Sequence, residues 1–303
     1  MKKIIYLAGG IVLMSLFSCK SQKGINAVNA VAFPEFSSEA HRGGRGLMPE
    51  NTIIAMRHAI DLGVTTLEMD THVTLDKEVV VSHDEYLNAL FTKTPEGGEI
   101  TKATQKNYII YKMKYAELRK FDVGTKFYPA FPEQKKVNTY IPRLADLIDS
   151  VQNYLKANNK KQVFYNIETK SSAKDDGIYN PEPAAFVKLL MDVIEQKKIT
   201  PYVVIQSFDK RTIQLIHEKY PAVRTSYLVS NNQTFEEHIN ELGYKPFIYS
   251  PAYKLVTADL VKKCHDQQIK IIPWTANTKE AIQNLRNLKV DGIITDYPNL
   301  LVD

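Results

Sequence analysis

Two hydrophobic periods alternate along this chain. Short, densely apolar runs rich in Val, Ile, Tyr and Thr predict strands near 40–43, 66–71, 163–169, 202–208, 224–229, 247–250, 269–275 and 292–295. Between them, apolar residues return every third or fourth position, which predicts helices near 51–62, 144–157, 183–197, 210–219, 235–242, 257–268 and 279–288. Asn51 or Thr52 caps the first helix and Gly63 ends it. Eight strands separated by helices in one domain indicate an α/β fold, a (β/α)8 TIM barrel. The beat is broken once, between His83 and Ile141. That stretch holds Glu96-Gly97-Gly98, several lysines and the aromatic Phe127, Tyr128 and Phe131. A segment this long is a small inserted subdomain or a lid, about 85–141, and its aromatics form a substrate rim or, as the default reading, its own small core.

The N-terminus follows a different pattern. Lys2 and Lys3 precede an apolar run from Ile4 to Phe17, and Ser18-Cys19 follows. This is the layout of a secretory signal, too short for a comfortable membrane span. Leu16-Phe17-Ser18-Cys19 resembles a bacterial lipobox, in which the Cys is diacylated and becomes the mature N-terminus. The expectation is a lipoprotein signal peptide over 1–18, lipidation at Cys19, a polar tether over 19–36 and a barrel domain over 37–303. That describes an exported bacterial lipoprotein, held at the membrane by its lipid anchor and facing the periplasm. The plain alternative is a signal peptide with an incidental Cys. Cys264 falls on the apolar face of a helix, as a buried small side chain would. With Cys19 lipidated, no intramolecular disulfide is expected.

An apolar fraction of 44% and a charged fraction of 24% are those of a globular protein with a full core. The formal charge is +5, or +3 without Lys2 and Lys3, and it is spread along the chain. Nucleic-acid binding would want a clustered basic stripe, so it is excluded.

In a barrel of this type, function gathers at the C-terminal ends of the strands. His41 and Arg42 close the first predicted strand, Glu68 and Asp70 the second, and Glu168 and Lys170 the third. Gln206 lies in the fourth and Trp274 near the end of the seventh. Glu68 and Asp70 are two apart, so they share a face and repel unless a cation lies between them. Glu168 offers a third oxygen ligand. Three carboxylates suit one divalent cation, Mg²⁺ or Ca²⁺, and no Cys/His set for zinc is present. A solvated strand end with incidental acids is the bland alternative. His41 and His83 can flank a phosphodiester as proton acceptor and donor. Arg42 is suited to hold phosphate oxygens with its fork, and Lys170 adds a point charge. Glu50 either orients Arg42 and touches substrate or merely favours a helix N-terminus. Trp274, the only tryptophan, walls the pocket for an alcohol moiety or plugs the barrel, and Phe208 poses the same choice. Asp296, in Thr295-Asp296-Tyr297-Pro298, is read as a contact to phosphate or a turn former.

Together, His41-Arg42-Gly43, Pro49-Glu50-Asn51-Thr52, Glu68-Met69-Asp70 and His83-Asp84 resemble the signature of the glycerophosphodiester phosphodiesterase family. The likeness extends through Glu168-Thr169-Lys170, Gln206-Ser207-Phe208-Asp209 and Trp274 to Thr295-Asp296-Tyr297-Pro298. It implies an insertion after the second strand, lying over the catalytic face. It also implies metal-dependent hydrolysis of a small glycerophosphodiester to sn-glycerol 3-phosphate and an alcohol. The substrate's glycerol 2-hydroxyl would be the nucleophile, with one of His41 and His83 as base and the other as acid; His41 is taken as the base and His83 as the acid. Phosphatidylinositol phospholipase C and sphingomyelinase D relatives share the barrel and paired histidines, but Pro49-Glu50-Asn51-Thr52 and the long insertion argue against them. A non-catalytic lipoprotein that binds glycerophospho groups should have lost a histidine or a carboxylate, and this chain keeps all of them.

Overall fold

The computed structural model describes residues 31–302 together with Met1; the signal segment, Cys19 and most of the tether lie outside the described residues. In chain order the elements are β1 (Ser37–Ala40), α1 (Ile53–Leu62), β2 (Thr66–Val73), β3 (Val79–Val81) and the short α2 (Tyr115–Leu118). Then come α3 (Leu144–Ala157), β4 (Phe164–Thr169), α4 (Pro183–Gln196), β5 (Val203–Ser207), α5 (Lys210–Lys219) and β6 (Arg224–Val229). The chain ends with α6 (Phe235–Leu242), β7 (Ile248–Pro251), α7 (Ala258–Asp266), β8 (Lys270–Ile271), α8 (Lys279–Asn287) and β9 (Gly292–Thr295). Eight strands run parallel in the order β8-β7-β6-β5-β4-β2-β1-β9, and β3 folds back antiparallel on β2. Asp291 N–H to Ile271 O (2.9 Å) and Ile294 N–H to Pro273 O (3.0 Å) bring the two ends of that order together into a nearly closed barrel.

Helix starts follow the side-chain chemistry. Thr52, Thr234, Thr257 and Thr278 each accept a backbone N–H one turn into their helix, which satisfies a donor that the helix itself leaves free. Apolar stripes such as Leu144, Leu147, Ile148, Val151 and Leu155 on α3 face the outer wall of the strands. The inside of the barrel is divided. Val204, Ile248, Ile272 and Ile294, with Phe33 and Phe247 packed against them, form an apolar plug. The C-terminal half of the barrel is polar instead. Register sets Asp70 opposite Glu168, Glu168 opposite Gln206, and Glu68 opposite Asn166.

Of the expected strands, the first is displaced and the seventh is shorter. The first was expected over 40–43, yet it ends at Ala40, and His41–Gly43 form a 3-10 turn. Arg42 there adopts left-handed backbone (φ 52°), followed by Gly43 at φ 80°. A Cβ on Gly43 would lie 2.8 Å from the Ala55 Cβ, so the turn packs tightly against α1. Likewise the seventh barrel strand, expected over 269–275, is reduced to Lys270–Ile271, with Trp274 joined to Ala252 by an isolated bridge. Pro273 interrupts it, having no N–H for a ladder.

Between β3 and α3 the inserted segment encloses a small core of its own: Leu87, Ile100, Ile110, Leu118, Phe121 and Val123 with Val80. Tyr128 and Phe131 are buried, whereas Phe127 remains 59% exposed.

Candidate active site

The turn after β1 presents both of its side chains to the barrel mouth. His41 Nδ1–H donates to Asp296 Oδ1 at 2.5 Å, and Asp296 also receives Arg45 Nε–H (2.7 Å) and Asn277 Nδ2–H (2.7 Å). The left-handed conformation of Arg42 turns its backbone N–H onto Glu68 Oε2 at 2.7 Å. Its guanidinium donates to Glu50 Oε1 (2.8 Å) and lies 3.3 Å from Asp70 Oδ2. Glu50 is buried behind Arg42 and Arg45, and the pocket wall does not include it.

Glu68, Asp70 and Glu168 each offer a carboxylate oxygen within 4.8 Å of the others, and all three are buried. Lys170 Nζ–H donates to Glu168 Oε1 (2.9 Å) and stands 3.9 Å from Asp70 Oδ1. Asn51, in left-handed backbone before α1, donates to Asp70 Oδ2 (2.8 Å), and Gln206 donates to Glu68 Oε1 (2.8 Å). Asp70 Oδ1 is buried with no hydrogen-bond partner. Burial and the neighbouring Asp70 charge drive the Glu68 carboxyl well above its ordinary value. Burial raises Glu168 too, against the pull of Lys170. Burial opposes the charge on Asp70 as well, but Arg42, His83, Lys170 and His41 outweigh it and hold that carboxyl low. An orphaned oxygen amid three crowded, hard oxygen donors fits a divalent cation.

His83 follows β3, and its Nδ1–H donates to Asp84 Oδ1 (2.8 Å), which Asn88 braces in turn. Its carbonyl is held by His72 Nε2 (3.1 Å) on β2. Both histidines thus spend Nδ1 on an aspartate, and Nε2 of each has no hydrogen-bond partner among the described residues. Burial pushes His41 down to about 4 despite Asp296. Asp296 itself resists its own burial because His41 and Arg45 hold it below the carboxylate range.

His41, Arg42, Arg45, Glu68, Asp70, His83, Glu168 and Lys170 line one pocket of about 270 Å³ with Gln206, Phe208, Leu228, Trp274 and Ile294. Trp274 stands edge-on to Phe208 at 5.3 Å and donates Nε1–H to Ser250 O. The structure therefore brings together His41, Arg42, Glu68, Asp70, His83, Glu168, Lys170 and Trp274, with Glu50 one layer back. Sequence reasoning left out Arg45, Asn51 and Asp84 as site residues and read Asp296 only as a phosphate contact or a turn former. Asp296 and Asp84 each stood in a singled-out motif, but only the fold shows which histidine each one faces.

The model of the glycerophosphoryl diester phosphodiesterase family matches residues 41–300. A glycerophosphodiester phosphodiesterase from Bacillus altitudinis is 31% identical over 268 residues, covering 87% of this chain and 95% of that protein. A crystal structure of a Silicibacter pomeroyi protein assigned as a glycerophosphoryl diester phosphodiesterase aligns at 28% identity and a TM-score of 0.78, over 89% of this chain and 93% of that one. An Oleispira antarctica phosphodiesterase, solved in complex with its product sn-glycerol-3-phosphate, has the same fold at 21% identity and a TM-score of 0.68, over 86% of this chain and 93% of that one.

Proposed function

The chain belongs to the glycerophosphoryl diester phosphodiesterase family and is a glycerophosphodiester phosphodiesterase, and we propose that it works with one divalent cation and the His41/His83 pair. What carries this reading is the pairing of His41 with Asp296 and of His83 with Asp84 around the same pocket as three buried carboxylates. Glu68, Asp70 and Glu168 would hold Mg²⁺ or Ca²⁺. When bound, the cation screens phosphate charge and lowers the pKa of a hydroxyl it binds.

The protein's own groups do the rest. His41, neutral near pH 7 and with Nε2 free, takes the proton of the nucleophilic hydroxyl, which we assign to the glycerol 2-position. His83 Nε2 protonates the departing alkoxide. The roles exchange when water opens the resulting cyclic phosphate. Arg42, fixed by Glu50, and Lys170 hold the phosphate oxygens, and Trp274 walls the alcohol side.

We also propose that the chain is anchored at the membrane through a lipid on Cys19, with the site facing the periplasm. The support for that is the signal-like pattern of residues 1–19.

The test is sn-glycerol 3-phosphate release from a panel of glycerophosphodiesters, with and without chelator. Activity is expected to vanish in EDTA and return with Mg²⁺ or Ca²⁺. Full turnover after exhaustive chelation would refute the metal reading.

A further inference from the structure

The barrel interior holds one carboxylate that the proposed chemistry does not use. Glu39, on β1, is fully buried two residues before His41. Its Oε1 accepts from Ser37 Oγ (2.9 Å), which sits 2.8 Å from Thr66 Oγ1. Its Oε2 accepts from Asn166 Nδ2 (2.8 Å). The same Nδ2 donates to Gln206 Oε1 (3.1 Å), and Gln206 Nε2 donates to Glu68 Oε1 (2.8 Å). One unbroken buried path thus runs from Glu39 through two amides to a carboxylate of the cluster.

That path has a direction. A primary amide offers two donors on one side and an acceptor on the other. Asn166 spends both hydrogens within the path, while its Oδ1 is buried without a partner. Asn166 forgoes a partner for its oxygen while keeping both N–H bonds, and Glu39 Oε2 is the acceptor that requires one of them. Were Asn166 reversed, its oxygen would face Glu39, and Gln206 would reverse to donate to it. Gln206 would then present Oε1 to Glu68, oxygen against oxygen. We propose that Glu39 is a positioning residue for the cation site: by holding Asn166 as a donor, it compels Gln206 to offer N–H to Glu68 and so stabilises Glu68 as an anionic ligand. Oε2 remains an acceptor whether or not Oε1 carries a proton toward Ser37, so the device does not depend on the charge of Glu39. This inference rests on the cation reading above and adds to it a residue that touches neither metal nor substrate.

Binding of Ca²⁺ alone to the full chain, measured by titration calorimetry, tests it. Glu39→Met keeps the volume and removes the acceptor; Glu39→Gln keeps an acceptor for Asn166. Outer partners of metal ligands are typically worth about 10–100-fold in affinity, so Glu39→Met is expected to weaken Ca²⁺ at least about 10-fold. Glu39→Gln is expected to stay within about threefold of wild type. In a Gln206→Leu background, Glu39→Met is expected to add nothing, because the path is already cut. Wild-type affinity in Glu39→Met, or its full penalty repeated beside Gln206→Leu, would overturn the proposal. If Glu39→Met fails to fold, Asn166→Ser serves instead, its hydroxyl being too short to span, and wild-type affinity there is equally fatal. Asp70→Asn separates the two readings. If wild type binds neither Ca²⁺ nor, in a parallel titration, Mg²⁺, or Asp70→Asn leaves binding unchanged, the cation reading falls and takes this one with it. If Asp70→Asn abolishes binding while Glu39→Met does not weaken it, only the positioning role falls.

Discussion

At the scale of single residues, the site is governed by what each buried charge faces. His41 is kept neutral by burial, and Asp296 fixes which of its nitrogens carries the proton. Asp296→Asn is expected to lower kcat by about 10²-fold or more, because an amide no longer dictates that tautomer. Steady-state kinetics beside an unchanged circular dichroism spectrum would check it. His41→Ala and His83→Ala are each expected to lose about 10²–10⁴-fold in kcat. A substrate with an acidic leaving alcohol is expected to rescue His83→Ala selectively, which assigns the acid. Glu39 supplies a stability test. Burial raises its carboxyl from 4.5 to about 7, against the hydrogen bonds from Asn166 and Ser37. The folded chain thus holds a proton that the unfolded chain has lost. That stability is complete below about pH 4.5 and drains as pH rises through about 7, by about 3 kcal/mol at most. Glu39→Gln is expected to flatten this slope, matching wild type near pH 4 and melting higher at pH 8, as thermal unfolding in EDTA will read.

At the scale of elements, the inserted segment behaves as a satellite with a core of its own beside β2. Leu118 and Ile110 are fully buried within it. Its far end touches the site: the Phe131 ring lies 4.9 Å from the Arg45 guanidinium and 6.4 Å from the Tyr297 ring, beside Asp296. Leu118→Ala leaves a cavity expected to remove about 2–5 kcal/mol from that local core. Hydrogen exchange is expected to rise across 85–141 while β2 and β4 stay protected, with kcat/KM falling through Arg45. Uniform deprotection of the barrel would show that the insertion is no separate unit. Helix positions were legible beforehand because a Thr cap and an apolar stripe are local signals. The end of β1 was not, since the left-handed Arg42 is set by its amide reaching Glu68, 26 residues away.

For the whole molecule, the expected anchor is independent of the barrel. Among the described residues no helix is long and apolar enough to cross a membrane. Cys19→Ser is expected to move the enzyme from the membrane fraction to the soluble one with unchanged specific activity, which fractionation with assays of both pools will show. Retention at the membrane would point to some other surface, with the exposed Phe127 the first to substitute. The residue types and their order already determined the architecture, for periodicity dictates helix or strand, and eight such alternations leave a barrel as the economical closure. They also determined that His41, Glu68, Asp70 and Glu168 would converge, because strand ends gather on one face, whereas His83 reaches the site only because β3 folds back on β2. Tertiary structure alone decided the pairings: Asp296 with His41 across 255 residues, Asp84 rather than another acid on His83, and Glu39 linked through Asn166 and Gln206 to Glu68. A hydrogen bond forms within about 3 Å, and which side chains come that close depends on barrel register and side-chain direction, neither of which is written in local sequence.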